Sequence, residues 1–221
     1  MIITDNYYQF FKQLAANNNR DWFHVHKDSY QADVLTPFTK LTENVIEKTR
    51  TLYPAISIMY KDAAFRIYRD TRFSKDKTPY KLWMGAVVNP IGRKNTQFPE
   101  IYFQFGPGEN FIAAGLYRPD KETLQKIRLA IANNPDAFNL IIKDPKMRKF
   151  FPEGILGERN KRLPKELMKI ADKQPFILNK QFYTIAYYTP EDIMRNDLVD
   201  FIVAHYQAME KFNEWLYEIV G

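Results

Sequence analysis

The spacing of apolar residues changes after Pro54, and this change constrains the fold of the 221-residue chain more than any other feature. Before Pro54, apolar residues recur every three or four positions, as on one face of a helix, first at Tyr7, Phe10, Phe11 and Leu14. After it, four segments have the alternating or continuous apolar pattern of strands: residues 63–69, 83–89, 100–105 and 111–117. Strands flanked by helices predict an α+β fold.

Further helices are predicted on both sides of these strands. Asn19 or Asp21 can cap a second helix, and Thr36-Pro37 has the pattern of a helix start, so that Pro37 either kinks one long helix or separates two. A helix ending at Asn133-Asn134 and a shorter one after Pro135 are expected next. Residues 143–175 have an irregular pattern with one short helix after Pro164, and one closing helix is expected from residue 196 or 197, with an apolar face at Leu198, Ile202, His205, Met209, Phe212, Leu216 and Ile219.

The strands are expected to form a mainly antiparallel sheet of about four to five strands. The short segment 106–110 contains two glycines and a proline, which predicts a hairpin between the strands on either side of it. Residues 182–188 are a further strand candidate. We expect this sheet to pack against helices from both the N-terminal and the C-terminal parts of the chain.

Length and composition predict one soluble domain covering residues 1–221. Apolar residues make up 45% of the chain, enough for a packed core, but no run reaches the roughly 20 apolar residues of a membrane span. The N-terminus lacks the basic and then apolar pattern of a secretory signal. The absence of cysteine excludes disulfides, thiolate metal sites and cysteine nucleophiles. We expect a cytoplasmic protein with no membrane partner.

Positive charge is concentrated in two stretches of the chain. Residues 61–95 carry nine Lys or Arg and three acids, and residues 143–173 carry ten and five, within a net charge of +6. Such concentrations attract phosphates, nucleic acid or acidic protein surfaces. Acids are interspersed throughout the second stretch, which is typical of a solvated surface. The first stretch is therefore the better candidate for a binding site.

Within the first stretch, residues 65–81 (FRIYRDTRFSKDKTPYK) combine six cations with only two acids. Guanidinium and ammonium groups, with the hydroxyls of Ser74 and Thr78, are suited to holding phosphate or carboxylate oxygens. Aromatic faces on which a base or ring could stack are provided by Tyr68, Phe73 and Tyr80.

Three functions fit this segment. In the first, Asp70 and Asp76 pair with its cations and tie a ligand-free loop to the sheet. In the second, it binds an anionic ligand, which could be a phosphate, a nucleotide or nucleic acid, with an affinity that falls with salt. In the third, it belongs to an enzyme acting on a phosphorylated or nucleic-acid substrate, with Asp70 or Asp76 as base or metal ligand and Arg72 and Lys77 stabilising negative charge. A module that binds an acidic protein is a further alternative.

Familiar catalytic motifs do not favour the enzyme. The chain has no G-x-x-x-x-G-K-[ST], G-x-G-x-x-G, G-x-S-x-G or H-E-x-x-H sequence. His24 and His26 form an His-x-His, but on a helix these side chains lie about 200° apart and cannot bind one ion. His205 falls on the apolar face of the last helix and is expected in the core. No metal site, cofactor or catalytic residue is assigned.

The run from Arg69 to Lys81, RDTRFSKDKTPYK, resembles the hallmark motif of a widespread uncharacterised conserved family, a domain of unknown function found mostly in bacteria. Other segments match in the same order: residues 17–23 (NNNRDWF), residues 115–119 (GLYRP) and Arg128. The resemblance implies one full-length α+β domain with Arg69 to Lys81 as its focal point. It implies no reaction, cofactor or substrate.

We therefore predict an anion-binding site at this run. Its ligand-binding residues are expected to be Arg69, Asp70, Arg72, Ser74, Lys75, Asp76, Lys77, Tyr80, Lys81 and Arg118. Among them, the ligand contacts are expected to be Arg72, Lys75 and Lys77. Arg69 and Asp70 are expected to be internal scaffold, and Tyr80 a stacking wall.

The matching segments also suggest a pocket. Trp22, Arg118 and Arg128 lie in the motifs outside the central run. We expect these three side chains to converge on that run.

Overall fold

The structure, a computed structural model, describes residues 1–94 and 97–220. The predicted domain of residues 1–221 also includes residues 95, 96 and 221, which lie outside the described residues. The strands are β1 (Met84–Val88), β2 (Glu100–Phe105), β3 (Asn110–Leu116) and β4 (Phe182–Tyr188). The helices are α1 (Asp5–Ala16), α2 (Arg20–Val25), α3 (Lys27–Ser29), α4 (Thr36–Leu52), α5 (Tyr60–Ala63), α6 (Lys121–Asn133), α7 (Pro135–Ile142), α8 (Pro145–Phe150), α9 (Lys165–Ala171), α10 (Pro190–Ile193), α11 (Leu198–Ala208) and α12 (Glu210–Val220). A π-helical segment (Tyr30–Leu35) and a 3-10 helix (Pro175–Leu178) complete the description.

The four strands form one antiparallel sheet in the order β1-β2-β3-β4, which confirms the α+β fold. Strands β2 and β3 are neighbours joined by residues 106–109, as the hairpin prediction required. Residues 182–188 form β4 and therefore supply the fourth strand.

The predicted strand over residues 63–69 is wrong. This segment makes only isolated antiparallel bridges, one from Ala64 to Ala86 and one from Tyr68 to Tyr80. The amide of Arg69 donates to the carbonyl oxygen of Pro79 at 2.9 Å. Proline has no N–H to return, so the pairing cannot continue as a regular ladder at this point. Residues 67–69 and 79–81 nevertheless run side by side and lead to the turn between them.

The chain divides into two compact units, each assembled from separate segments. The first contains Met1–Arg93, Tyr102–Ile112 and Tyr187–Val203, and the second contains Lys94–Ile101, Ala113–Ala186 and Ala204–Gly221. Strands β2, β3 and β4 each contribute residues to both units. The single-domain organisation stays a prediction.

Helix α1 anchors the first unit through its aromatic face. Tyr7 and Phe11 are fully buried, as the helical spacing predicted. The Tyr7 hydroxyl donates to the carbonyl oxygen of Phe105 at 2.9 Å, and the Tyr8 hydroxyl donates to Oδ1 of Asn110 at 2.7 Å. Because Phe105 and Asn110 flank the β2–β3 turn, these two hydrogen bonds attach α1 to that end of the hairpin.

The segment around Pro37 is a single continuous helical path. The π-helical segment Tyr30–Leu35 runs directly into α4, and the Thr36 amide donates to the Gln31 carbonyl oxygen, five residues back. This wider turn comes immediately before Pro37, whose missing N–H would interrupt a regular α-helix. The chain therefore meets the proline by changing its helical pitch and then continues as α4.

Two predictions about the second half need correction. Residues 143–175 contain α8 as well as the expected helix after Pro164, because the Asp144 side chain accepts from the amides of Lys146 and Met147 and caps a helix that opens with Pro145. The predicted closing helix is divided at Met209, whose amide donates to the carbonyl oxygen of Tyr206, three residues back. The expected apolar face is buried at Leu198, Ile202, His205, Met209, Phe212 and Leu216.

His205 is a core residue, as predicted. It is fully buried, and its ring meets the rings of Phe150 and Phe151 edge-on at centroid distances of 4.8 and 5.3 Å.

In the described ranges 1–94 and 97–220, no helix combines the length and the apolar character that crossing a membrane requires.

Candidate functional site

The basic run, defined here as residues 69–81, forms the end of a hairpin-like projection in the first unit. Its base is closed by backbone hydrogen bonds from Arg69 to Pro79 at 2.9 Å and from Lys81 to Ile67 at 2.8 Å. Between them the chain turns back, and the Ser74 amide donates to the Thr71 carbonyl oxygen at 3.3 Å. The cations of the run are thus distributed between a base beside the core and an exposed tip.

Asp70 and Arg72 form a two-point ion pair on the surface. Nε of Arg72 lies 3.0 Å from Oδ1 of Asp70, and its terminal nitrogen lies 2.7 Å from Oδ2. The backbone amide of Arg72 also donates to Oδ1. These hydrogen bonds from Arg72 lower the pKa of Asp70 to about 2. The pair is highly exposed, so it orders the loop more than it stabilises the fold.

Asp76 closes the base of the run together with Arg69. Its carboxylate accepts from the Thr78 amide at 2.9 Å and from the Arg69 guanidinium, which also bonds to the hydroxyl of Thr78. The Thr78 amide first, and then Arg69, lower the pKa of Asp76 to about 2. Both carboxylates of the run are therefore anions that already have cationic partners.

The lysines of the run differ in their surroundings. Nζ of Lys77 donates to the Thr71 carbonyl oxygen at 3.0 Å, whereas Lys75 is exposed and makes no ion pair with any described residue. Lys81 is half-buried. Its ammonium lies 4.7 Å from the centroid of the Trp83 ring and donates to the Arg66 carbonyl oxygen, and burial lowers its pKa.

A side-chain amide joins this projection to the N-terminal helices. The amide of Tyr80 donates to Oδ1 of Asn18 at 3.1 Å, and Nδ2 of Asn18 donates to the Tyr80 carbonyl oxygen at 3.0 Å. One residue later, Oδ1 of Asn19 accepts from the Trp22 amide at 2.9 Å and caps α2, as predicted. Asn18 and Asn19 together fix α2 alongside the base of the basic run.

An aromatic stack fills the space between α2 and the base of the run. The rings of Phe23 and Tyr80 are stacked, with centroids 4.1 Å apart and an interplanar angle of 17°. Tyr68 packs against Tyr80 at a centroid distance of 5.5 Å, but 53% of Tyr68 remains exposed. Tyr80, predicted as a stacking wall, is itself 95% buried, so Tyr68 presents the accessible aromatic surface.

An open cleft of about 550 Å³ lies over this stack. Its lining residues are Arg20, Asp21, Phe23, His24, Lys27, Tyr68, Arg69, Thr71, Pro79 and Tyr80. Three of them are permanent cations, whereas Asp21 is the one carboxylate among the lining residues in the described part of the chain. The cleft is thus lined by both aromatic and cationic side chains, all within the first unit.

The pKa of the Tyr80 hydroxyl depends on its burial and on two neighbouring side chains, Tyr68 and Arg20. Burial raises the pKa of Tyr80, and the nearby Tyr68 raises it further, while the Arg20 guanidinium opposes the shift. The positive charge of Arg20 thus favours the ionised form of the Tyr80 hydroxyl. Arg20 and Tyr80 both line the cleft.

The structure brings only some of the predicted site residues to the cleft. Arg69 and Tyr80 line it, but Arg72, Ser74, Lys75 and Lys77 do not. Among the described side chains, no group of three His, Asp or Glu residues is arranged as a metal site. Three lining cations or histidines were missed by sequence reasoning: Arg20, His24 and Lys27.

Trp22, Arg118 and Arg128, the predicted pocket residues outside the run, each contact different neighbours. The indole of Trp22 stacks on the His26 ring at 3.9 Å, and Nδ1 of His26 lies 2.8 Å from the Trp22 carbonyl oxygen. Arg118 and Arg128 belong to the second unit. The Arg118 guanidinium carbon lies 5.7 Å from the Tyr117 ring centroid, and the Arg128 side chain binds backbone carbonyl oxygens near residue 178. Their convergence with Trp22 stays a prediction.

Comparison with known proteins gives one match of wide coverage. Neither the comparison with curated proteins nor that with solved structures finds a significant match. The model of the DUF2461 family, described as conserved hypothetical proteins, matches residues 6–215. This range includes the N-terminal helices, the basic run and every strand of the sheet, and the chain therefore belongs to the DUF2461 family of conserved hypothetical proteins.

Proposed function

We propose that the cleft binds a small anionic ligand that carries a planar ring, with a nucleotide as the best fit. The observation that supports it most is the combination of cationic and aromatic lining. Arg20 and Lys27 supply positive charge, and the exposed face of Tyr68 supplies a stacking surface. Arg69 also lines the cleft, but its guanidinium is already paired with Asp76. Cations and an aromatic face are what a phosphate attached to a base requires.

This proposal moves the ligand from the tip of the basic run to its base. Arg72 is already engaged by Asp70 in two hydrogen bonds, and Lys77 is held by a backbone carbonyl oxygen. Arg20 and Lys27 make no ion pair with any described residue, so their charge is available to a ligand. For a small ligand held in the cleft, Arg72 and Lys77, which do not line it, are therefore weaker candidates than Arg20 and Lys27.

The state of the two carboxylates in the run disfavours the hypothesis that either of them is a catalytic base. A general base is most effective when its pKa lies near the working pH. The pKa values of Asp70 and Asp76 are both lowered to about 2 by hydrogen bonds, so neither accepts a proton readily near neutrality. Asp70 and Asp76 therefore do not suit the role of general base that the enzyme hypothesis gave them.

The test is calorimetric titration with adenosine 5′-monophosphate, inorganic phosphate and adenosine at low and moderate salt. We expect the nucleotide to bind more tightly than either of its parts, with an affinity that falls as salt rises. The double variant Arg20→Ala/Lys27→Ala should lower nucleotide affinity at least about tenfold, because each charge-assisted hydrogen bond contributes about 1.5–3 kcal/mol.

The matched control is Lys12→Ala/Lys40→Ala, which removes two exposed cations of the first unit that do not line the cleft. It has the same net charge as the test variant and should bind like the native protein. Equal affinities for the two double variants would refute the proposed site. So would the absence of nucleotide binding to the native protein at low salt.

A further inference from the structure

The tip of the basic run carries an aromatic side chain that the fold does not use. Phe73 is 95% exposed, the largest exposure among the large apolar residues of the described chain. The Arg72 guanidinium carbon lies 5.7 Å from its ring centroid. An exposed phenylalanine held beside cations offers a free aromatic face in a positive field.

Two cations at the tip, Lys75 and Lys77, are not neutralised by the carboxylates of the run. Asp70 and Asp76 are both engaged by arginine side chains, which leaves Lys75 and Lys77 without a carboxylate partner among the described residues. The hydrogen bond of Lys77 to the Thr71 carbonyl oxygen positions its ammonium group but does not neutralise it. The tip is thus positively charged around Phe73.

A second exposed aromatic face lies at the base of the same projection. Tyr68 borders the cleft and precedes Phe73 by five residues along one arm of the hairpin. Along the projection, an aromatic face at the base is followed by cations and then by an aromatic face at the tip. Single-stranded nucleic acid has the complementary pattern, since planar bases alternate with phosphates along one flexible chain.

We propose that the projection binds single-stranded nucleic acid, with one nucleotide in the cleft against Tyr68 and another base stacked on Phe73 at the tip. Lys75 and Lys77 contact the phosphates that lie outside the cleft. This inference rests on the proposed function of the cleft and extends it to a longer ligand. It assigns a role to Phe73, which the binding of a mononucleotide leaves unexplained.

An anionic membrane is the other partner that an exposed aromatic residue among cations could meet. Phe73 is the one strongly exposed apolar side chain in residues 69–81. A single side chain buries little apolar area, and even a whole myristoyl chain gives only marginal membrane binding. The second aromatic face, at the cleft, also has no role in that model. Both points favour nucleic acid.

The experiment is fluorescence anisotropy with the full chain and labelled oligouridine and oligothymidine of about 12 nucleotides, a length within the range of single-strand binding sites. Adenosine 5′-monophosphate is titrated in parallel, and the oligothymidine is also tested as a duplex with its complement. The native protein should bind at least one single strand more tightly than the mononucleotide and more tightly than the duplex, whose bases are already stacked.

The informative variant is Phe73→Ala. It should weaken single-strand binding about 5- to 150-fold, the equivalent of one base stack, and leave mononucleotide affinity unchanged. Phe73→Trp keeps an aromatic face and should bind like the native protein. Leu140→Ala removes a comparably exposed apolar side chain from the second unit and should have no effect.

The outcomes separate the two proposals. Mononucleotide binding without tighter single-strand binding, or with no loss in Phe73→Ala, overturns the extended site and leaves the cleft. No binding of any nucleotide at low salt overturns both. Binding to vesicles rich in phosphatidylserine that Phe73→Ala abolishes, together with no oligonucleotide binding, shows that the tip contacts membranes and also overturns the inference.

Discussion

Replacing Arg128 with methionine tests whether this buried cation is a structural clamp of the second unit. Its Nε donates to the carbonyl oxygen of Ile177 at 3.0 Å, and a terminal nitrogen donates to that of Asn179 at 3.2 Å. Only 8% of the residue is exposed, and burial lowers the pKa of the guanidinium. No carboxylate among the described residues pairs with it.

The expected loss of stability follows from these contacts. Two hydrogen bonds from a charged donor contribute about 1.5–3 kcal/mol each, and their loss also leaves two carbonyl oxygens short of a donor. Removing an unpaired buried charge offsets part of this loss. Methionine is unbranched like arginine and has a similar helix propensity, so α6 itself should persist. We expect the free energy of unfolding to fall by about 2–4 kcal/mol.

Urea denaturation followed by circular dichroism measures this difference, and the melting temperature should fall by about 5–15 °C. Lys126→Met is the matched control, because it removes an exposed cation of the same helix whose pairing with Glu122 is a surface contact. That control should change stability by less than about 0.5 kcal/mol. If Arg128→Met is as stable as this control, the clamp does not exist.

Three further predictions test other parts of the structure. Gly115→Ala should destabilise the protein by about 2–5 kcal/mol in the same denaturation assay. The reason is that Gly115 has φ +110° and that an added Cβ would lie 2.4 Å from a backbone oxygen. The control is Gly108→Ala, whose added Cβ would meet nothing within 4 Å and which should be neutral. Asn18→Asp places a carboxylate oxygen against the Tyr80 carbonyl oxygen and should cost about 1–3 kcal/mol. Asn196→Asp makes the same charge change at an exposed residue of the first unit and should cost clearly less; equal losses would contradict the paired-amide contact. The pKa of Asp76 is lowered from 3.8 to about 2, so its hydrogen bonds should order the basic run fully above pH 3.8 and be lost as the pH falls through 2. NMR titration of the Asp76 carboxyl carbon measures this pKa. A midpoint near 3.8 would show that the hydrogen bonds do not form.

Much of the fold was predictable from local patterns. Helix α1, the cap at Asn19 and the β2–β3 hairpin each depend on residues close together in the sequence. Two of the three wrong assignments, near residues 63–69 and 143–175, came from competing signals. Residues 63–69 have a strand-like pattern, but Pro79, which faces Arg69, interrupts the pairing that a strand needs. The helix start at Asp144-Pro145 lies inside a segment whose basic composition suggested a loop.

The candidate site was only partly predictable, because the cleft depends on a contact across 62 residues. The paired amides of Asn18 and Tyr80 bring α2 beside the basic run, and no local pattern encodes that pairing. A signal did exist for Arg20, which lies within the matching segment of residues 17–23. His24 and Lys27 lie beyond that segment, His24 in the last turn of α2 and Lys27 at the start of α3.

The π-helical segment Tyr30–Leu35 allows the chain to lose one residue without moving the wall of the cleft. A π-turn holds more residues than an α-turn, so the six residues of this segment turn the chain through roughly the angle of one residue fewer in α-helix. Deletion of one residue here would restore a regular α-helix, and Phe23 would still face Tyr80, its stacking partner. The same deletion within α4 would instead rotate everything before it by about 100° about the helix axis. A one-residue alignment gap within residues 30–35 is therefore compatible with an unchanged cleft, whereas a gap within α4 is not.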